Sequence, residues 1–165
     1  MRTDVPWIEG VAPGRLAFTP RPCAIPSLDA EMRRLREAGV DVVASFLEPL
    51  EAARLGLDDE AGACARQGLL FHAFPISDHG VPDSLDETRA FAQELQKHVA
   101  QGRSVLVHCY AGIGRSALVS ACVLLLLGVP LDAVLDRLER ARGLRVPETA
   151  AQLDFLARFA KGPAA

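Results

Sequence analysis

Nine consecutive residues carry the strongest chemical signal in this chain: His108-Cys109-Tyr110-Ala111-Gly112-Ile113-Gly114-Arg115-Ser116. The run before the loop, 104–108 (SVLVH), reads as a short buried strand, and Ser116 opens an apolar helix. A tight loop between a strand and a helix N-terminus turns successive backbone N–H groups into one concavity, and the helix adds its partial positive end. Gly112 and Gly114 let the backbone approach a ligand closely. Arg115 supplies a planar fork of donors matched to phosphate oxygens. Cys109 stands at the mouth of this anion site. Such surroundings favour the thiolate over the thiol. A thiolate beside a bound phosphorus centre is a nucleophile for phosphoryl transfer through a covalent cysteinyl-phosphate.

A lone cysteine at a strand end is ordinarily core packing. Here six specified positions, His108, Cys109, Gly112, Gly114, Arg115 and Ser116, occur in order in a strand–loop–helix context. Together they turn the reading toward function. Expelling an alkoxide or phenoxide also needs a proton, which a positioned carboxylic acid supplies. Upstream of the loop the candidates are Asp78, Asp83 and Asp86. Asp78 follows the C-terminal end of a predicted strand, where sites collect on parallel sheets. Asp78 also reads as an ordinary turn residue, and Asp83 reads as a helix cap.

HCYAGIGRS resembles the H-C-x5-R-[ST] loop of the cysteine-dependent protein tyrosine phosphatase superfamily. The short chain is similar to the dual-specificity branch, and PISDHGVPD with HCYAGIGRS most resembles its kinase-associated phosphatase group. The resemblance covers roughly residues 40–160. It implies Cys109 as nucleophile and Arg115 as phosphate ligand, with the backbone amides of Tyr110, Ala111, Gly112, Ile113, Gly114 and Arg115 holding phosphate oxygens. It further implies that His108 supports the loop and thiolate from behind, and that Ser116 stabilises the thiolate as it leaves. The D-x-G-x-P run at Asp78 is similar to the family's acid loop and favours Asp78 over Asp83. Gln152, in 147–156 (PETAAQLDFL), matches a segment whose glutamine orients the hydrolytic water in some relatives; it reads equally as a polar residue on an amphipathic helix.

These residues need a scaffold, and the rest of the chain supplies one. Five prolines in the first 27 residues forbid long helices there, leaving short extended pieces near Trp7–Ile8 and 15–18. Ser27 or Asp29 caps a helix with Leu28, Met32 and Leu35 on its apolar side, which Gly39 ends. A buried strand over 40–46, two short helices over 48–55 and 58–67, and a strand over 69–76 follow. Asp83 or Ser84 caps a long helix with Leu85, Thr88, Phe91, Ala92, Leu95 and Val99 at helical intervals. Beyond the loop come helices from Ser116 to Leu127, over 131–141 and over 149–160. Strands alternating with helices predict an α/β fold: a central, mostly parallel sheet of four to five strands flanked by helices. No repeat or long linker divides residues 1–165, so one domain is expected, with a Pro-rich segment 1–27 and a core 28–161.

Composition narrows the field. Half of the 165 residues are apolar and 24% are charged, in keeping with a packed globular chain. The net charge of −3 argues against nucleic-acid binding. The longest apolar stretch, 117–129, is shorter than the ~20 residues a membrane span needs, and no signal-like pattern opens the chain. Four cysteines without a C-x-x-C pair indicate neither a zinc site nor a disulfide framework, so a reduced, cytoplasmic protein is expected. No cofactor and no metal are expected. His72 and His98 read as structural, and Cys122 as core. Arg137, Arg140, Arg142 and Arg145 form a basic cluster that attracts acidic substrates or is simply a solvated helix face. Cys23 and Cys64 are candidates for an oxidative bridge to Cys109.

The expected activity is therefore a metal-independent phosphatase acting on a phosphorylated protein or peptide, on phosphotyrosine and, with a shallow pocket, on phosphoserine and phosphothreonine. Two alternatives stay open: a phosphoinositide or RNA 5′-phosphate substrate, and a catalytically silent phosphate-binding module. A loop without lysine between Cys109 and Arg115 departs from the inositide-selective pattern of the family. The oligomeric state is left open.

Overall fold

The computed structural model describes residues 4–163. Four strands, β1 (Arg15–Thr19), β2 (Val42–Ser45), β3 (Leu70–Ala73) and β4 (Ser104–His108), form one sheet in the order β1-β4-β2-β3. Every pairing is parallel. Strand β4 is central and buried throughout, as its unbroken apolar run requires. The predicted strand over 69–76 is assigned only as β3, yet Phe74 and Ile76 continue to donate to Ser45 and Phe46. Pro75 falls between those donors on an edge strand, where a missing N–H costs no ladder bond. Near Trp7 the chain makes only an isolated antiparallel bridge to Ala17.

Seven helices cover the two faces: α1 (Leu28–Glu37), α2 (Pro49–Arg54), α3 (Glu60–Arg66), α4 (Leu85–Ala100), α5 (Arg115–Leu126), α6 (Leu131–Arg142) and α7 (Ala150–Ala160). The period-2 alternation of the strands sorts the core into two clusters. Val105 and Val107 join Val42, Ala44, Leu16 and Phe18 under α4 to α7, whereas Leu106 and Val43 pack with Met32, Leu35, Ala63 and Cys64 of α1 and α3. Helix α5 is buried over its first ten residues, which accounts for its lack of a polar face. Ser27 caps α1 by accepting from Ala30 N–H, and Ser84 caps α4 by accepting from Glu87 N–H. Asp83 is therefore not the cap. All strands run the same way, so the segments leaving β2, β3 and β4 gather at one edge of the sheet.

Candidate active site

The loop leaving β4 wraps into a cup, and its floor is held from outside. Arg21 N–H donates to Tyr110 O at 3.1 Å. Arg142 donates from Nε to Gly112 O and from Nη2 to Ala111 O, both at 2.9 Å. With these carbonyls tied outward, the amides are left to the inside. Among the described residues, none of the amides of 110–114 has a protein acceptor. Unpaired amides converging on a helix N-terminus make an anion site. Gly112 is required twice over: its φ is +70°, and a Cβ would sit 2.4 Å from Pro20 N. At Gly114 a Cβ would come within 2.6 Å of Glu148 Oε1.

Cys109 lies at the floor, 2% exposed, with Sγ 3.2 Å from Ser116 Oγ. Arg115 is equally buried and its guanidinium is fixed on two edges. Nη1 and Nη2 reach the two Glu51 oxygens at 2.8 Å each, Nη1 also donates to Ile76 O at 2.9 Å, and Nη2 donates to Asp78 Oδ1 at 3.1 Å. Its Nε–H has no protein partner among the described residues. Burial disfavours the Arg115 charge, but the Glu51 hydrogen bonds and charge outweigh it and raise its pKa. Reciprocally, hydrogen bonding from Arg115 holds the Glu51 carboxyl below the usual carboxylate range.

Asp78, His79, Cys109, Tyr110, Ala111, Ile113, Gly114, Arg115 and Glu148 enclose a cavity of about 290 Å³. Asp78, half exposed, is the one predicted acid candidate among its lining residues; Asp83 and Asp86 are exposed and line none of it. His79 adopts φ +60°, the one non-glycine residue described with positive φ, and its Nδ1 is 2.9 Å from Glu148 Oε1. Gln152 is fully buried: Oε1 accepts from Thr149 N–H in a capping box, and Nε2 donates to Gly80 O at 3.1 Å. It thus ties α7 to the loop that carries Asp78. Behind the cup, His108 Nε2 lies 2.7 Å from Glu60 Oε1.

Several secondary readings change. Arg140 and Arg145 pair with local acids and Arg137 reaches Gly10 O, so three of the four arginines are spent on the helix surface. Arg142 instead braces the loop. Cys64 packs against Met32 in the opposite core cluster from Cys109, and burial followed by the Glu60 charge pushes its thiol up to about 12. A bridge between Cys64 and Cys109 would have to cross the sheet. Cys23 is exposed on the proline-rich segment. Asp78, His79 and Glu148 gather ligand-type atoms within 4.8 Å of one another, but all three are exposed and their spacing follows from the His79–carboxylate contacts. Glu51, Glu60 and Glu148 touch the site and were not marked by residue spacing, and Arg142 was marked only as one of a basic cluster. Each is an ordinary charged residue on or beside a helix until the tertiary fold brings it to the loop.

Comparison with known proteins agrees with this geometry. The sequence profile of the cyclin-dependent kinase inhibitor 3 family matches residues 27–134. Cyclin-dependent kinase inhibitor 3 from Rattus norvegicus is 29% identical over 148 residues, covering 83% of this chain and 69% of the relative; the Homo sapiens protein is 28% identical over the same span. A kinase-associated phosphatase whose catalytic-site cysteine was replaced by serine superposes with a TM-score of 0.80 at 23% identity, covering 98% of this chain and 97% of that one. A mutant form of Tk-PTP gives a TM-score of 0.74 at 28% identity, covering 90% and 91%. The chain belongs to the cyclin-dependent kinase inhibitor 3 family and has the fold of the kinase-associated and protein tyrosine phosphatases it resembles.

Proposed function

We propose that this chain hydrolyses phosphotyrosine, and phosphoserine or phosphothreonine, on a phosphorylated protein, through a cysteinyl-phosphate on Cys109. The observation that carries the reading is Cys109 Sγ on the floor of a cup of unpaired amides, beside Ser116 Oγ and in one cavity with Arg115. Phosphate oxygens bind the amides of Tyr110 to Arg115 and the Nε–H of Arg115. They compete with Asp78 for the Arg115 Nη2 donor, which releases the Asp78 carboxyl toward the leaving oxygen. In the first step the S–P bond forms, the P–O bond to the substrate breaks, and Asp78 gives its proton to the departing oxygen. In the second, water attacks phosphorus, Asp78 takes a water proton, and the S–P bond breaks. The departing thiolate accepts the Ser116 hydroxyl proton in a hydrogen bond. Gln152 orients that water by exchanging its bond to Gly80 O for one to the water. No step requires a metal.

Tyr110, 42% exposed, is the phenol-bearing side chain among the described residues lining the cavity. This aromatic wall suits a flat phenyl ring without excluding a shorter side chain. The names of the relatives point to protein kinases as phosphoprotein partners. A free catalytic thiol also suits a reducing compartment such as the cytoplasm. The test is hydrolysis of para-nitrophenyl phosphate followed by a panel of phosphotyrosine, phosphothreonine and phosphoserine peptides, a phosphoinositide and an RNA 5′-phosphate. Vanadate-sensitive turnover, lost in Cys109→Ser and highest on the peptides, is expected. Preference for the phosphoinositide or RNA would replace the proposed substrate class.

A further inference from the structure

Glu60 is a buried carboxyl group with no part in the two steps above. Only 3% of it is exposed, it lies on α3 beneath the sheet, and its Oε1 is 2.7 Å from Nε2 of His108, which is wholly buried. A carboxylate is seldom buried unless paired, and removing one member of such a pair leaves an uncompensated charge. The other ring nitrogen, His108 Nδ1, lies 3.3 Å from Cys109 O. A carbonyl oxygen only accepts, so Nδ1 carries a proton. With Glu60 ionised, its oxygen also only accepts, and Nε2 then carries a proton as well. Two donors on one imidazole define the imidazolium.

We propose that Glu60 is a positioning residue for the nucleophile: it holds His108 as an imidazolium behind the catalytic loop, where a fixed positive charge beside the Cys109 peptide favours the thiolate. The proposal rests on Cys109 being the nucleophile, and it adds a residue from the opposite face of the sheet to the machinery. The route is short. His108 ends β4 and Cys109 is the next residue, so the charge set by α3 is delivered through one strand end. Other charged or titratable groups also face this pair and the thiol. Cys64 lies on α3, Glu51 on α2, Arg115 on α5 and Asp78 on the acid loop. Arg115 and the His108 imidazolium are the cations, one on each side of Cys109. Ser116 adds a hydroxyl donor. Glu51 and Asp78 are engaged by Arg115, and Glu60 is the carboxylate in hydrogen-bond contact with His108.

The experiment compares full-length wild type, Glu60→Gln and Glu60→Asp by the rate of iodoacetamide inactivation at pH 6 and at pH 8.5, with ¹⁵N spectra of the His108 ring in the wild type. Glu60→Gln is expected to slow inactivation about tenfold at pH 6, where the thiolate fraction limits the rate, and less than about twofold at pH 8.5. Glu60→Asp keeps a carboxylate and restores most of the rate at pH 6. Both His108 nitrogens are expected to be protonated at neutral pH. Equal loss at both pH values, no loss at either, or one bare ring nitrogen in the wild type would overturn the proposal. If Glu60→Gln does not fold, the wild-type spectrum decides. Alkylation is read without turnover, so failure here is distinct from failure of the phosphatase reading, which Cys109→Ser tests.

Discussion

The two halves of the candidate site are built in opposite ways. The floor, from His108 to Ser116, sits between a central strand and the most buried helix of the fold, and its side chains at 108, 109, 115 and 116 are all nearly or fully buried. Three separate elements brace it: the turn after β1 through Gly112, α6 through Arg142, and α2 through Glu51. The acid loop after β3 is different. Asp78 and His79 are exposed, and the side-chain contacts from beyond the loop that hold residues 78–80 come from Arg115, Glu148 and Gln152. Catalytic groups that must bind an anion before chemistry are pre-organised by the core. In the proposed mechanism Asp78 must meet leaving oxygens of differing reach, and it is held by contacts that can be exchanged.

That contrast predicts a ranking of effects. Cys109→Ser should lower kcat on para-nitrophenyl phosphate by on the order of 10⁴–10⁶-fold while leaving the fold intact. A serine enzyme within tenfold of wild type would remove the floor from the chemistry. Asp78→Ala should cost about 10²–10⁴-fold on substrates with poor leaving groups and much less on a nitrophenolate. Equal losses on both substrates would mean that Asp78 serves only to hold Arg115.

Glu51→Gln sharpens the comparison from the stability side. The variant leaves the buried Arg115 guanidinium without its bidentate partner, and urea denaturation should show a loss of about 3 kcal/mol at neutral pH. Because the folded-state carboxyl is held below its ordinary range by Arg115, its contribution is full above the ordinary carboxylate range and is lost as pH falls through the folded value. The stability difference between wild type and variant should therefore shrink below about pH 4. A difference that persists unchanged into acid would assign the Glu51 effect to packing.

The smallest effect is expected at His79→Gly. Glycine relieves a left-handed backbone worth about 1–2 kcal/mol, but costs chain entropy and the exposed contact to Glu148, so stability should move by less than about 1 kcal/mol. Turnover should fall by less than about tenfold. If His79→Gly were as damaging as Asp78→Ala, the acid loop would be as tightly built as the floor and the contrast would fail.

The same contrast governs what was legible in the amino-acid order. The floor is local: strand, glycines, arginine and helix follow one another within thirteen residues from Ser104 to Ser116, so spacing alone revealed an anion cup with a cysteine in it. Helix caps were also local: Ser27, read beside Asp29, and Ser84, read beside Asp83, both accept the capping N–H bonds. The partners of the floor are not local. Glu51 and Glu60 lie 64 and 48 positions from the residues they hold, on helices whose solvent-facing glutamates look identical in sequence. Gln152 was legible only as a resemblance; its burial and its bond to Gly80 depend on how α7 docks. The basic cluster after residue 136 misled in part, because four similar arginines have different fates once α6 is placed: Arg142 alone turns to the loop.

The central claim is a covalent bond to one sulfur. Asp78→Ala enzyme mixed with para-nitrophenyl phosphate, quenched in acid within milliseconds and digested, should yield one peptide carrying the mass of a phosphoryl group on Cys109, with Cys23, Cys64 and Cys122 unmodified. Product release without any such adduct, or an adduct on another residue, would contradict the account.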